Sequence, residues 1–396
     1  MTNRPTYQIK NIYGNRIFLF ISLLLIYRPE IFVQIRITEM IWDVGRVILC
    51  VFLLLTYALY NHYSKLFVFE LAIWGWYNLY SLYLDVWSFN VLIRFLLILM
   101  ITILVEMSAT QNIIQLIKSL RLILVIYLIA NTITIILGFD VSSLFLGFDN
   151  DIIMILIPMI GVLTWGAFYE NGTLKKIDYF IYLMVFFDFF ATKAVTAIVS
   201  LLTYVCVLFF MNRKIAVKFI GDKKDKIASL FTSGKGIAYA IILWVFVAVF
   251  QVQKLFASSL YYLLHRDVTL TNRIYIWERV IEAVKVHPIL GYGNYALNEE
   301  YLSYFRYWVS CPHNLFLHFL ATGGIVGFIA IIMLYNYSFR NVNKNQNGFV
   351  DFILLATSFT FMICGLASSY YPMESLFLLL AIANITPKVK TMENIS

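Results

Sequence analysis

Residues 313–335 read HNLFLHFLATGGIVGFIAIIMLY, a run of 23 residues with no aspartate, glutamate, lysine or arginine. A helix needs about 20 mostly apolar residues to cross the hydrocarbon core of a bilayer, so this segment predicts a membrane-spanning helix. The whole chain has the same character, since 61% of its 396 residues are hydrophobic and only 13% are charged. Soluble globular chains carry about 45–50% apolar and 25% charged residues. A water-soluble fold is therefore excluded.

The same length criterion identifies about twelve candidate spans and predicts an all-α, polytopic transmembrane helix bundle. The spans are approximately Ile12–Tyr27, Val44–Tyr60, Leu66–Leu84, Val91–Val105, Leu122–Gly138, Ile152–Tyr169, Ile177–Phe190, Ala194–Met211, Ile237–Phe256, His313–Tyr335, Val350–Ser369 and Met373–Ile385. Spans one to nine thus occupy residues 1–256, and spans ten to twelve with a C-terminal tail occupy residues 313–396. Residues 257–312 form one long loop between these two parts.

The basic residues predict the orientation, because cytoplasmic loops of membrane proteins are enriched in Lys and Arg. Most of the 30 Lys and Arg residues fall in the cytoplasmic segments when both termini are placed inside. The largest group comprises Arg213, Lys214, Lys218, Lys223, Lys224, Lys226 and Lys235. The net charge of +8 thus indicates topology and not nucleic-acid binding, since no basic patch with interleaved aromatic residues lies outside the spans. This orientation places residues 257–312 outside.

The long loop contains one segment with helical periodicity, residues 273–287, which read RIYIWERVIEAVKVH. Its apolar residues have the spacing of an amphipathic helix: Ile274, Trp277, Val280, Ile281 and Val284. Pro288 cannot continue a helix, and Gly291 and Gly293 permit a tight turn. Cys311 is the one cysteine in a polar loop, so neither a disulfide framework nor a zinc site is indicated.

Four elements between Arg273 and Gly327 resemble the O-antigen ligase and Wzy-type polysaccharide polymerase superfamily of bacteria. They are Arg273 followed by Trp277, the turn from Pro288 to Gly293, the pair His313–Asn314 at the start of a span, and Gly324 to Gly327 within that span. A further family element is a basic residue at the outer end of a middle span, in a string of small polar residues. Here it corresponds to Lys193 in the sequence from Thr192 to Thr196, with Lys in place of Arg.

The resemblance implies an enzyme of the bacterial plasma (inner) membrane that uses glycans on undecaprenyl diphosphate as donors, in O-antigen, capsule or exopolysaccharide synthesis. It implies no metal and no other cofactor. The expected partners are the lipid-linked glycans and the bilayer, with a flippase and a chain-length regulator, and no nucleic acid.

Binding a diphosphate leaving group requires cations. Arg273 offers a planar fork for phosphate oxygens, and Lys193 offers a point charge. His313, at the start of the tenth span, is expected to be neutral because a helix N-terminus disfavours imidazolium, so it is the candidate general base. Pro312 suits the first turn of that span. The possible accessory residues are Arg266, Arg279, Arg306 and Asn314.

Each assignment has a structural alternative. Arg273 could be a solvated loop residue, His313 an interfacial residue without chemistry, and Lys193 a side chain that extends to the lipid head groups. Three functions remain open: a polymerase of lipid-linked repeats, a ligase of the same superfamily, and a flippase or transporter. A transporter usually shows internal repeats and ionisable groups in mid-membrane. No internal repeat is visible here, which favours chemistry at the membrane surface.

Overall fold

A computed structural model describes residues 12–60, 63–140, 144–147, 149–192, 195–211, 232–250, 252, 273–305, 311–344, 349–366, 368 and 373–393. In these ranges the regular secondary structure is helical and contains no strand, which confirms the all-α prediction for this part of the chain. The helices are α1 (Arg16–Ile26), α2 (Arg36–Tyr60), α3 (Lys65–Tyr83), α4 (Phe89–Gln111), α5 (Ile113–Ile136), α6 (Asp149–Asn171), α7 (Lys176–Ala191), α8 (Val195–Met211), α9 (Ser233–Trp244), α10 (Arg273–Val286), α11 (Glu299–Ser303), α12 (Leu315–Lys344), α13 (Phe349–Cys364) and α14 (Met373–Glu393).

Five of the described helices, namely α2, α4, α5, α6 and α12, are long and apolar enough to cross a membrane. The described helices α1, α8, α9, α13 and α14 contain shorter apolar stretches. Each of the twelve predicted segments overlaps one described helix. The number of helices that cross the bilayer, about twelve by sequence, stays a prediction.

The bundle has a buried centre and an apolar outer surface. The most apolar windows of α4 and α6 are 78% and 83% buried, whereas that of α2 is only 33% buried. The exposed apolar residues of α2 recur every three or four positions, at Ile37, Ile41, Val44, Ile48, Val51, Leu55 and Leu59. Water would penalise such a stripe, whereas lipid is its natural environment. The protein is therefore a membrane protein.

Several polar side chains inside the bundle are paired with partners on neighbouring helices. Arg121 of α5 contacts Asp178 of α7 at 2.7 Å. Asp188, further along α7, accepts hydrogen bonds from Asn131 at 3.0 Å and Thr132 at 2.6 Å. Because an unpaired polar group in lipid is costly, these pairs fix α7 against α5.

Several connections between helices meet at one end of the bundle, which we call the loop end. Three hydrogen bonds join them: Ile31 N to Phe145 O at 3.4 Å, Tyr80 Oη to Gly291 O at 3.2 Å, and Leu315 N to Gly365 O at 2.7 Å. In the predicted topology successive spans cross the membrane in opposite directions, which places all of these connections on one side. The contacts among the connections are consistent with that prediction. That this side faces outward stays a prediction.

Candidate functional site at the loop end

The amphipathic helix predicted in the long loop is present as α10. Ile274, Trp277 and Val280 are buried, and the helix ends at Val286, before the proline. Its buried face packs against α12. Because residues four apart lie on one face of a helix, Arg273 is one turn ahead of Trp277 on the same side of α10.

Trp277 fastens α10 to the segment that precedes α12. Its indole Nε1 donates to the Pro312 carbonyl at 3.0 Å, and its side chain is fully buried. The expectation that Pro312 lies in the first helical turn is wrong, because α12 begins at Leu315. Pro312 instead supplies the acceptor that holds α10 in place.

Asn314 begins α12 and ties it to the end of α13. Its Oδ1 accepts from the amides of Phe316 and Leu317, both at 3.0 Å, so it is the N-cap of the helix. Its Nδ2 donates to the Leu366 carbonyl at 2.9 Å, and the residue is only 1% exposed. The amide of this predicted accessory residue therefore holds the backbone around the candidate site.

The turn from Pro288 to Gly293 binds to α12 through backbone hydrogen bonds. Four amides donate across the contact: Tyr292 N to Ala321 O at 2.8 Å, Gly293 N to Thr322 O at 3.0 Å, Ile325 N to Pro288 O at 2.8 Å, and Val326 N to Ile289 O at 3.2 Å. Gly324 interrupts the helical geometry of α12 there, with φ 58° and ψ −158°. The interruption leaves backbone groups of α12 available to the turn.

The two glycine motifs are partners in this contact. A Cβ atom on Gly291 would lie 2.6 Å from the Ala321 oxygen and 2.6 Å from the Gly324 nitrogen. A Cβ on Gly324 would collide with the Ile289 carbonyl. Both glycines also have positive φ angles, which side chains disfavour. Glycine is therefore required on both sides, and the contact sets the position of α10 relative to α12.

His313 occupies the short segment between these two anchors. Its φ angle is +46°, in the left-handed region that few non-glycine residues adopt. Pro312 before it is held by Trp277, and Asn314 after it caps α12. Strained backbone of this kind persists only where the surroundings impose it, and it clusters at functional sites.

Arg273 and His313 interact electrostatically. Burial, and secondly the positive charge of Arg273, lower the pKa of His313 from 6.5 to about 4. A pKa near 4 leaves the imidazole neutral at physiological pH, and its physical causes are burial and the neighbouring Arg273. A neutral imidazole beside a guanidinium can accept a proton while the cation holds an anion.

Of the other predicted cations, the structure describes only Arg279. Arg279 lies on the exposed side of α10 and pairs with Glu282 at 2.8 Å. Lys193, Arg266 and Arg306 lie outside the described residues. Among the residues that the structure describes, no three His, Cys, Asp or Glu side chains come together to hold a metal ion.

His318, one turn after Asn314, lies next to the candidate site. Its Nδ1 is 3.0 Å from the hydroxyl of Tyr295, and its imidazole interacts electrostatically with Arg94 of α4. Burial raises the pKa of Tyr295 well above 10, so its hydroxyl stays protonated. Arg94 was not predicted as a site residue, and its one signal in the sequence is a cation within an apolar segment.

The fold and this geometry define a helical membrane protein in which Arg273 and His313 interact at one end of the helix bundle. Over residues 180–332 the chain matches a family model described as O-antigen ligase. The range includes Arg273, both glycine motifs and His313, so the resemblance to the O-antigen ligase and polymerase superfamily is confirmed. Members of this family are glycosyltransferase-like enzymes. A comparison with curated proteins gives no match.

Proposed function

We propose that the protein polymerises oligosaccharide repeat units carried on undecaprenyl diphosphate, at the outer face of the bacterial plasma membrane. The single observation that carries the proposal is the pairing of Arg273 with a neutral His313 at the loop end, within the range that matches the family. A reaction with a diphosphate leaving group and a hydroxyl nucleophile needs a cation and a proton acceptor side by side.

Arg273 binds the diphosphate through its planar guanidinium, and His313 accepts the proton of the attacking sugar hydroxyl. A glycosidic bond forms to the anomeric carbon, the bond from that carbon to the phosphate oxygen breaks, and undecaprenyl diphosphate leaves with the electron pair. Lys193 is a further diphosphate ligand in this proposal, and Arg266 and Arg306 are accessory cations. The reaction needs no metal.

Donor binding also activates the base. In the free protein the charge of Arg273 helps to keep the pKa of His313 near 4, which makes the imidazole a weak proton acceptor. A bound diphosphate brings negative charge next to both groups and offsets the effect of Arg273, because an opposite charge nearby favours the protonated form. His313 thus becomes a stronger base when the donor is in place.

The test is synthesis of a glycan ladder by the purified protein supplied with lipid-linked repeat units. Arg273→Ala and His313→Asn are each expected to lower the rate at least about hundredfold, the usual contribution of a general base or a charge-stabilising group. Asparagine is chosen because it tolerates the left-handed backbone of residue 313.

Matched controls exist on the same segment. Arg279→Ala removes an exposed arginine of α10, and His287→Ala removes an exposed histidine that pairs with Glu300 at 2.9 Å. Both controls are expected to keep the ladder. Full activity in Arg273→Ala or His313→Asn would refute the assigned roles, and absence of any ladder from the unaltered protein would refute the polymerase.

A ligase is the second candidate, and the match to a family described as O-antigen ligase favours it. A ligase would transfer a finished glycan to a different acceptor, with the same use of Arg273 and His313. Supplying the protein with lipid-linked glycan plus a lipid A core acceptor separates the two. Transfer to that acceptor without lengthening of the lipid-linked glycan would identify a ligase.

A further inference from the structure

The loop end contains a second feature, a cavity of about 520 Å³ among α1, α2, α4, α5, α6 and α14. We call it the charged cavity because its lining includes Arg28, Glu30, Glu39, Arg46, Arg94 and Glu374. All six residues lie outside the range matched by the family model. Its volume is in the range of pockets that hold small organic ligands, about 300–1,000 Å³.

Two of the three guanidinium groups of the charged cavity, those of Arg28 and Arg46, are held in fixed positions. Arg46 donates to the Leu25 carbonyl at 2.9 Å and to the Ile26 carbonyl at 3.0 Å. Arg28 contacts Asp43 at 3.0 Å. Side chains anchored in this way lose little conformational entropy when a ligand binds. The cavity therefore has the preorganised polar groups that distinguish a binding site from a packing defect.

The charge balance of the cavity selects its ligand. Three arginines and three glutamates line the cavity, and Asp43 contacts both Arg28 and Arg46. The carboxylates offset the positive charge, so the cavity does not favour a diphosphate. This mixture of donors and acceptors instead matches the hydroxyl groups of a sugar, each of which both donates and accepts hydrogen bonds. Asn90, an amide on the same lining, has the same dual capacity.

A chain of side-chain interactions links the charged cavity to the segment that carries His313. Arg94 on its wall interacts electrostatically with His318, whose imidazole is hydrogen-bonded to Tyr295 at 3.0 Å. Tyr295 in turn interacts with Cys311, two residues before His313. A glycan with its reacting end at His313 can thus place further sugars towards the cavity.

We infer that the charged cavity binds uncharged sugar units of the lipid-linked oligosaccharide, while Arg273 binds the diphosphate. This inference rests on the proposed function for the identity of the substrate. It assigns recognition of the glycan to the N-terminal helices and α14, outside the family segment. Specificity for a particular repeat unit is then set by α1, α2 and α4.

Binding measurements on the full-length protein in lipid nanodiscs test the inference with two probes. One probe is undecaprenyl diphosphate alone, and the other is the lipid-linked repeat unit extracted from the bacterium that makes the protein. Arg94→Gln and Glu39→Gln are expected to weaken binding of the repeat unit about tenfold or more, since a hydrogen bond to a charged group is stronger than one between neutral groups. Binding of undecaprenyl diphosphate is expected to be unchanged.

Two further variants keep the test decisive. Asn90→Phe narrows the cavity without removing a charge, and it should weaken binding of the repeat unit even if a charge variant fails to fold. Arg36→Gln changes an exposed arginine of α2 that does not line the cavity, and it should bind both probes normally.

Equal affinity of the unaltered protein for both probes would overturn the inference. Equal weakening of both probes in Arg94→Gln would also overturn it, and would identify a diphosphate site instead. Normal binding of the repeat unit in Asn90→Phe and Glu39→Gln would do the same. These outcomes are separate from the ladder assay, whose failure in the unaltered protein would refute the proposed polymerase.

Discussion

Replacing Gly324 by alanine should destabilise the contact between the turn at residues 288–293 and α12. The added Cβ would collide with the carbonyl of Ile289, which is backbone and cannot rotate away. Residue 324 also has φ 58° and ψ −158°, a conformation that alanine strongly disfavours. The neighbouring Gly323 provides a matched control, since a Cβ there meets no atom within 4 Å.

The expected magnitude follows from these two effects. The backbone conformation costs about 1–3 kcal/mol for a residue with a side chain. Overpacking by one methyl group typically costs about 1–3 kcal/mol. Together they predict a loss of about 2–6 kcal/mol in the free energy of unfolding for Gly324→Ala. Gly323→Ala should change it by no more than about 0.5 kcal/mol.

Thermal denaturation of the purified protein in one detergent measures the difference between these two variants. Gly324→Ala should lower the unfolding temperature by about 2–7 °C, and Gly323→Ala should leave it nearly unchanged. In the ladder assay Gly324→Ala should likewise lose more activity than Gly323→Ala, because the contact sets the position of α10 and hence of Arg273. Equal unfolding temperatures for the two variants would refute the reasoning about this contact.

Two further predictions concern the anchors and charges around His313. Trp277→Phe leaves the Pro312 carbonyl without its indole donor, and it should lower the free energy of unfolding by about 1–3 kcal/mol. The control is Trp87→Phe, at an exposed position. A decrease in unfolding temperature no larger for Trp277→Phe than for the control would contradict this prediction. Arg273→Gln removes the charge that helps to lower the pKa of His313 from 6.5 to about 4, so that pKa should rise but stay below 6.5, because burial remains. The rate of His313 carbethoxylation, followed by peptide mass spectrometry between about pH 4 and pH 7, reports this pKa as the midpoint of its pH dependence. An unchanged midpoint in Arg273→Gln would argue against the electrostatic interaction of Arg273 with His313.

The lowered pKa of His313 also has a consequence for stability. Below pH 6.5 the unfolded chain binds a proton at this histidine that the folded protein does not bind until about pH 4. The contribution of the neutral histidine to stability is therefore complete above pH 6.5 and is lost as the pH falls towards 4.

The sequence by itself determined the class of fold and the position of the helices. In lipid a segment must satisfy its own backbone hydrogen bonds, and a single apolar segment of spanning length does so as a helix. Each of the twelve predicted segments accordingly overlaps a described helix. The period of Ile274, Trp277 and Val280 was sufficient to predict α10 and its buried face. Local patterns carry this information because secondary structure depends on neighbours within a few residues.

Only the tertiary structure decided how the motifs meet. Both glycine motifs were visible in the sequence, but nothing in either indicates that Gly291 and Gly324 approach so closely that neither tolerates a side chain. Arg28, Arg46 and Arg94 are far apart in the sequence, and the packing of α1, α2 and α4 brings them to one cavity. Contacts between residues far apart in the chain depend on how helices pack, and a local sequence pattern does not encode that packing.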